Sequence, residues 1–166
     1  MKKYGIQNVK DDKLNNKNTP KDAWIDILQF IPKDKNIWCP FYNDGNCKND
    51  IEELGYKCIH EKKDFFEDFN RTDGICIDNP PFNIKKKIIP ILYKKKEPFS
   101  LLLPFDTLER KYMLKYNNKL QIVIPKQRYS YIEKKDGKIQ APPFKSVWFC
   151  WNMNEYLGNK ELIFLK

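Results

Sequence analysis

Several residue types are scarce in this chain, and each scarcity closes a route. His60 is the single histidine, which weakens any site built on imidazole ligands. The five cysteines, Cys39, Cys47, Cys58, Cys76 and Cys150, are odd in number and none forms a C-x-x-C pair. Neither a disulfide framework nor a zinc site is signalled, so no metal is expected. Cys58 and Cys76 lie in apolar, strand-like runs, where a thiol behaves as a small hydrophobe. No run approaches the ~18 apolar residues of a membrane span. The N-terminus continues into polar residues instead of the apolar stretch of a signal peptide. The expectation is a soluble, intracellular, cytoplasmic protein with reduced thiols and no membrane partner.

Arginine is scarce too: Arg71, Arg110 and Arg128 are the only three, yet 31 basic residues face 22 acidic ones, for a net charge of +9. The excess is lysine. A basic excess attracts polyanions, because each neutralised phosphate releases counterions. Composition offers a second reading, since Lys, Asn and Ile are abundant throughout, as an A+T-rich coding sequence would produce. The 166 residues suit one domain. Residues 1–18 read as a mobile polar arm, and 19–166 as a single domain.

Thr19-Pro20 predicts a helix start, with Thr19 as N-cap and Pro20 at the first helical position. Ala23, Trp24, Ile27, Leu28 and Ile31 follow at helical spacing, and Pro32 closes the helix. Ile37-Trp38-Cys39 predicts a strand running into the turn-rich loop 40–46. A helix over 49–54 ends at Gly55. Tyr56 to His60 is a second strand, followed by a short acidic and aromatic stretch, 61–70. Gly74 to Asp78 is a third. A lysine-rich helix is expected over 84–95, then a strand at 99–103, a helix over 106–116, and a strand at 120–124. A basic, aromatic loop at 126–145 precedes strands at 147–151 and 162–165. The alternation predicts an α/β fold, a mostly parallel sheet with helices on both faces. Such sheets bind ligands at the carboxyl ends of their strands, where loops 40–46 and 79–82 both begin.

Asn79-Pro80-Pro81-Phe82 closes one of those strands. The residue before proline is pushed into extended geometry, and two prolines stiffen the backbone while removing two donors. The Asn79 side-chain oxygen and the Pro80 carbonyl can then accept both hydrogens of one amino group. That localises the nitrogen lone pair toward an electrophilic methyl. Phe82 supplies a face on which a flat group stacks. The gain is positioning and preorganised dipoles, with no general base needed before transfer. A plain proline-rich turn is the competing reading. A second Pro-Pro-Phe, at 142–144, follows a polar loop and lacks both the strand and the asparagine.

Asn79-Pro80-Pro81-Phe82 after an apolar strand resembles the catalytic motif of class I, AdoMet-dependent N6-adenine methyltransferases. Further matches extend the resemblance over about 19–155. Thr19-Pro20 resembles the Thr-Pro opening of many members. Pro40-Phe41-Tyr42-Asn43-Asp44-Gly45 resembles their Asp/Glu-Pro-Phe-x-Gly-x-Gly cofactor loop. Asp64-Phe65-Phe66 resembles the segment that contacts the cofactor's adenine. Ile124-Pro125-Lys126 and 144–151 resemble the closing strands of small phage and viral members. Cys39 stands where the family has Asp or Glu before Pro-Phe, and the loop carries one glycine instead of two. His60 sits where an acid for the ribose is expected, with Glu61 next to it. Stretch 61–70 is too short for the usual extra helix and strand, which implies a reduced, Rossmann-like sheet.

The resemblance implies S-adenosyl-L-methionine as cofactor, held by Thr19, Pro40, Phe41, Tyr42, Asp44, Gly45, Glu61, Asp64, Phe65 and Asn79. It implies Asn79, Pro80, Pro81 and Phe82 as the catalytic group, and adenine N6 in nucleic acid, DNA first, as target. A target adenine in a duplex would be flipped out at a cost of roughly a few kcal/mol. The mixture of cations and aromatics at Lys126, Arg128, Tyr129, Tyr131, Lys134 and Lys135 suits a nucleic-acid strand, by charge and stacking. A solvated lysine loop is the alternative there. Three other functions stay open: an RNA N6-adenine methyltransferase, a protein glutamine methyltransferase, and an inactive methyltransferase-like subunit, which Cys39 keeps in view. The small size implies a homodimer or a partner subunit for sequence recognition, and a host-cell cytoplasm if the source is viral.

Overall fold

A computed structural model describes residues 17–43, 45–133, 139–140 and 144–166. In chain order the elements are β1 (Lys17–Asn18), α1 (Lys21–Leu28), β2 (Ile37–Trp38), α2 (Cys47–Glu53), β3 (Cys58–Ile59), α3 (Phe65–Asp68) and β4 (Ile75–Asp78). They continue with α4 (Lys85–Lys95), β5 (Phe99–Pro104), β6 (Leu120–Ile124), β7 (Tyr131–Glu133), β8 (Ile139–Gln140), β9 (Ser146–Trp151), α5 (Asn154–Leu157) and β10 (Leu162–Phe164). Among the described residues, seven strands form one sheet in the order β10-β6-β9-β5-β4-β2-β3. It is an α/β fold with a mixed sheet. Strands β3, β2, β4 and β5 run parallel to one another, as does β10 to β6. β9 lies antiparallel between β5 and β6.

The sheet is covered on both faces, because side chains alternate along each strand. Ile37, Ile77, Leu102, Val123 and Trp148 point to the face packed by α1 and α2. Trp38, Cys76, Leu101, Leu103, Ile122 and Phe149 point to the face packed by α3 and α4. Strands buried on both faces read as continuous apolar runs, as at 99–103 and 147–151. On the first face Trp24 meets Trp148 at 5.7 Å between ring centroids, and Trp148 Nε1 donates to the Ala23 carbonyl at 3.0 Å. On the second, Phe99 stacks on Trp151 at 4.7 Å.

Four local expectations change. Lys17 and Asn18, expected in the mobile arm, form β1 and pair antiparallel with β7; residues 1–16 lie outside the described ones. Thr19 does not cap α1. Pro20 precedes the helix in an extended conformation, with no side-chain cap, and the Thr19 hydroxyl is engaged by Asn79 instead. The missing cap costs about 1 kcal/mol, less than the ~1.5–3 kcal/mol that burying Ile27 or Leu28 contributes. The helix expected over 106–116 is two 3₁₀ segments, Phe105–Glu109 and Lys111–Lys115, split by an extended Arg110. Stretch 61–70 holds the short α3, with Asp64 as its N-cap through a 2.9 Å bond from the Phe66 amide.

Candidate functional site

The parallel strands leave β2 in two directions, since β3 pairs with one of its edges and β4 with the other. A crevice opens at such a reversal, outside the carboxyl ends of the strands. Here those ends carry Cys39-Pro40-Phe41 after β2 and Asn79-Pro80 after β4. A cavity of about 320 Å³ lies there, lined among others by Thr19, Phe41, Tyr42, Cys47, Asp78 and Asn79.

Asp78 ties the two strand ends together. Its side chain is 3% exposed, Oδ2 accepts from the Phe41 amide at 2.8 Å, and Oδ1 accepts from the Asn79 amide at 2.7 Å. Burial pushes its carboxyl up to about 8, against the downward pull of those two amides. His60, at the end of β3, supports the same loop. Its Nδ1 lies 2.7 Å from the Cys39 carbonyl, and its ring stacks on Tyr42 at 4.9 Å. Gly45 turns the loop at φ +86, and an added Cβ would stand 3.0 Å from the Tyr42 hydroxyl.

Asn79 has one half of its amide fixed. Its Nδ2 donates to Thr19 Oγ1 at 2.9 Å, across 60 positions of sequence. Its Oδ1 is buried and has no hydrogen-bond partner. Most buried polar atoms are satisfied, so an acceptor left over beside a cavity marks where a donor fits. Pro80 is buried and Pro81 half-buried. Phe82 opens a 3₁₀ segment, Phe82–Ile84, that leads into α4. Its ring meets Phe144 edge-on at 5.8 Å, and Lys85 Nζ stands 6.0 Å from its centre. Lys85 donates to Thr107 Oγ1 at 3.1 Å, and burial lowers its pKa.

The fold therefore brings Thr19, Phe41, Tyr42 and Asn79 around one cavity. Asp44 lies outside the described residues. Pro40, Glu61, Asp64 and Phe65 line a separate cleft of only about 10 Å³, about the least that holds a single water. Phe65 is core there, stacked on Trp38 at 6.3 Å and against Phe41 at 5.2 Å. Glu61 is exposed and paired with Lys63 at 2.6 Å and Arg71 at 2.8 Å. Bonding to those two cations holds its carboxyl at about 2.

The basic loop divides by burial. Lys126 and Arg128 are exposed, and Lys134 and Lys135 lie outside the described residues. Tyr129 and Tyr131 are buried, with their hydroxyls bonded to Asp26 Oδ2 at 2.6 Å and Ser146 Oγ at 2.9 Å. Both rings belong to the core against α1, so the stacking part of the nucleic-acid expectation gives way to packing and the exposed cations remain.

Sequence reasoning passed over Asp78 and a thiol cluster, and set Phe144 aside as part of a second Pro-Pro-Phe. Asp78 read as the last residue of a strand; its acidity in an otherwise apolar run was the available signal. The Sγ atoms of Cys39 and Cys47 and a carboxylate oxygen of Asp78 lie within 4.8 Å of one another. Cys58 Sγ is 3.9 Å from Cys39 Sγ. Burial pushes the Cys39 thiol up, and hydrogen bonding from its two neighbours draws Cys58 down.

In comparisons with known proteins, no family model and no curated protein sequence matches the chain. Among the described residues no helix is long and apolar enough to cross a membrane.

Proposed function

We propose that the chain is an AdoMet-dependent methyltransferase with a Rossmann-like, reduced class I fold, acting on the N6 amino group of adenine in nucleic acid, DNA first. The observation that carries this reading is Asn79 Oδ1, a buried acceptor without a partner, in a residue that lines the crevice where the sheet reverses. AdoMet, when bound, would supply the electrophilic methyl. The residues present fit its amino-acid end: the cavity is polar on the Thr19, Asn46 and Asn79 side, and its volume is at the lower end of the roughly 300–1,000 Å³ of small-molecule sites. Thr19 fixes the Asn79 amide so that Oδ1, with the Pro80 carbonyl, accepts from the target amino group. Phe82, backed by Phe144, offers the ring on which the base stacks. Lys126 and Arg128 add charge for the phosphate backbone.

The test is transfer of tritiated methyl from AdoMet to DNA, RNA and protein, with analysis of the methylated product, beside calorimetry of AdoMet binding. N6-methyladenine in DNA is the expected product. Methylglutamine or the absence of any transfer would overturn the proposal. One second reading has an observation of its own. The cleft at Glu61, Asp64 and Phe65 is filled by protein side chains, which favours a methyltransferase-like subunit that binds nucleic acid without catalysis. Calorimetry separates the two, because that subunit would show no AdoMet heat.

A further inference from the structure

Three thiols and one carboxylate gather at the cavity, with Cys47 and Asp78 in its lining. Cys39 follows β2, Cys47 opens α2, Cys58 opens β3 and Asp78 ends β4. Cys39 Sγ lies 3.9 Å from Cys58 Sγ, and Cys39 Sγ, Cys47 Sγ and an Asp78 oxygen lie mutually within 4.8 Å. Zinc–thiolate bonds of about 2.3 Å at tetrahedral angles place two sulfurs about 3.8 Å apart. The Cys39 and Cys58 sulfurs thus already stand near the separation that one tetrahedral ion imposes, with Cys47 and Asp78 within 4.8 Å of Cys39.

Ordinary core packing accounts for buried cysteines taken singly. It does not account for the thiols gathering around a carboxylate whose own bonds tie two strand ends together. Asp78 is 3% exposed, and among the described residues it forms no ion pair. Its two amide bonds leave lone pairs free on a carboxylate, which offers about four. Isolated buried charges are costly, so a buried carboxylate is held neutral, paired or bound to a metal, and its free lone pairs beside two thiols suit the last of these.

We infer that Cys39, Cys47, Cys58 and Asp78 form a binding site for one tetrahedral, thiolate-preferring divalent cation, with Zn²⁺ as the fitting ion. Four protein ligands make a closed, structural site. Cys47 is partly exposed and lines the cavity with Asp78, which gives the ion access. Cys39 immediately precedes loop 40–46 and Cys47 immediately follows it, so the ion fastens both ends of that loop and joins it to β3 and β4. The inference stands independently of the proposed methyl transfer.

The experiment uses the full chain, exposed to zinc chloride, dialysed, and assayed for metal content. It is then titrated with Co²⁺ under reducing conditions. About one zinc per chain is expected, with tetrahedral cobalt bands and thiolate-to-cobalt charge transfer. Losing even an outer-shell partner costs 10–100-fold in metal affinity, so Cys47→Ser and Cys58→Ser should weaken cobalt binding by at least about tenfold. Cys150→Ala, at a thiol bonded to Ser100 instead, should leave it unchanged. Zinc should also protect Cys47 from alkylation in the unaltered chain, a readout that needs no variant to fold. Substoichiometric zinc, cobalt bands without charge transfer, equal binding by the serine variants, or undiminished alkylation would overturn the site.

Discussion

Asp78 and Glu61 are both acids that close or follow a parallel strand, and their surroundings treat them in opposite ways. Asp78 is buried at the junction of β2 and β4, bonded to amides, and pushed up to about 8. Glu61 is exposed beyond β3, bonded to Lys63 and Arg71, and drawn down to about 2. Around Asp78 polar capacity is left over: the Asn79 Oδ1 and the His60 Nε2 are both buried without a partner. Around Glu61 polar groups are already matched, with Arg71 also bonded to Asp68 and Asp73 and Asp64 spent on capping α3. Leftover capacity is what a ligand can use, whereas matched charges hold a chain segment in place. The first region has room and polar capacity for a ligand, and the second is matched as a fastening.

The sharpest break of this contrast is Asn79→Ala. If the unpartnered oxygen accepts from the target, removing it should lower kcat for methyl transfer by about 10²–10³-fold, the scale of one lost preorganised polar contact. Circular dichroism should show the fold intact, and undiminished turnover would dissolve the contrast. Gly45→Ala should cost about 1–2 kcal/mol in urea unfolding, since a non-glycine residue at φ +86 is strained and the new Cβ crowds Tyr42. On the fastening side, Asp64→Ala removes the α3 cap and should lower stability by about 1 kcal/mol.

Glu61 should give the smallest effect. Its folded pKa lies below the unfolded value of about 4.3, so its stabilising share is present above that pH and fades as pH falls toward about 2. Acid unfolding of Glu61→Gln should therefore lack part of the loss seen in the parent chain between those values, while the two unfold alike at pH 7 to within the small range of exposed ion pairs. A large difference at pH 7 would make Glu61 more than a fastening.

Much of this arrangement was legible in the residues. The apolar runs and their turn chemistry located the strands of the main sheet within a residue or two, and both loops of the cavity were visible because they begin at strand ends. What was not legible is long-range. The Thr19–Asn79 bond spans 60 positions, and no local preference announces that a threonine before proline will serve a distant amide instead of a cap. Strand direction is equally silent. Val147 to Trp151 is as apolar as a parallel strand, yet β9 runs the other way. Cys39, Cys47 and Cys58 are spaced unlike any short zinc motif, so only the folded chain assembles them. The 126–131 loop showed its charge in sequence, but burial alone decided that its tyrosines belong to α1.

The position of β9 also bears on how the chain matures. Strands β5 and β6 are made well before it, yet each leaves an edge facing the other across the space that residues 146–151 later fill. Until those residues arrive, two long apolar strands present unpaired amides and carbonyls, the surface that recruits other chains. Closing the sheet then means threading a late segment between two early ones, a non-local step of the kind that slows folding. For a chain emerging from the ribosome, the centre of the sheet is completed only after the strands on either side of it, with the edge strand β10 still to follow.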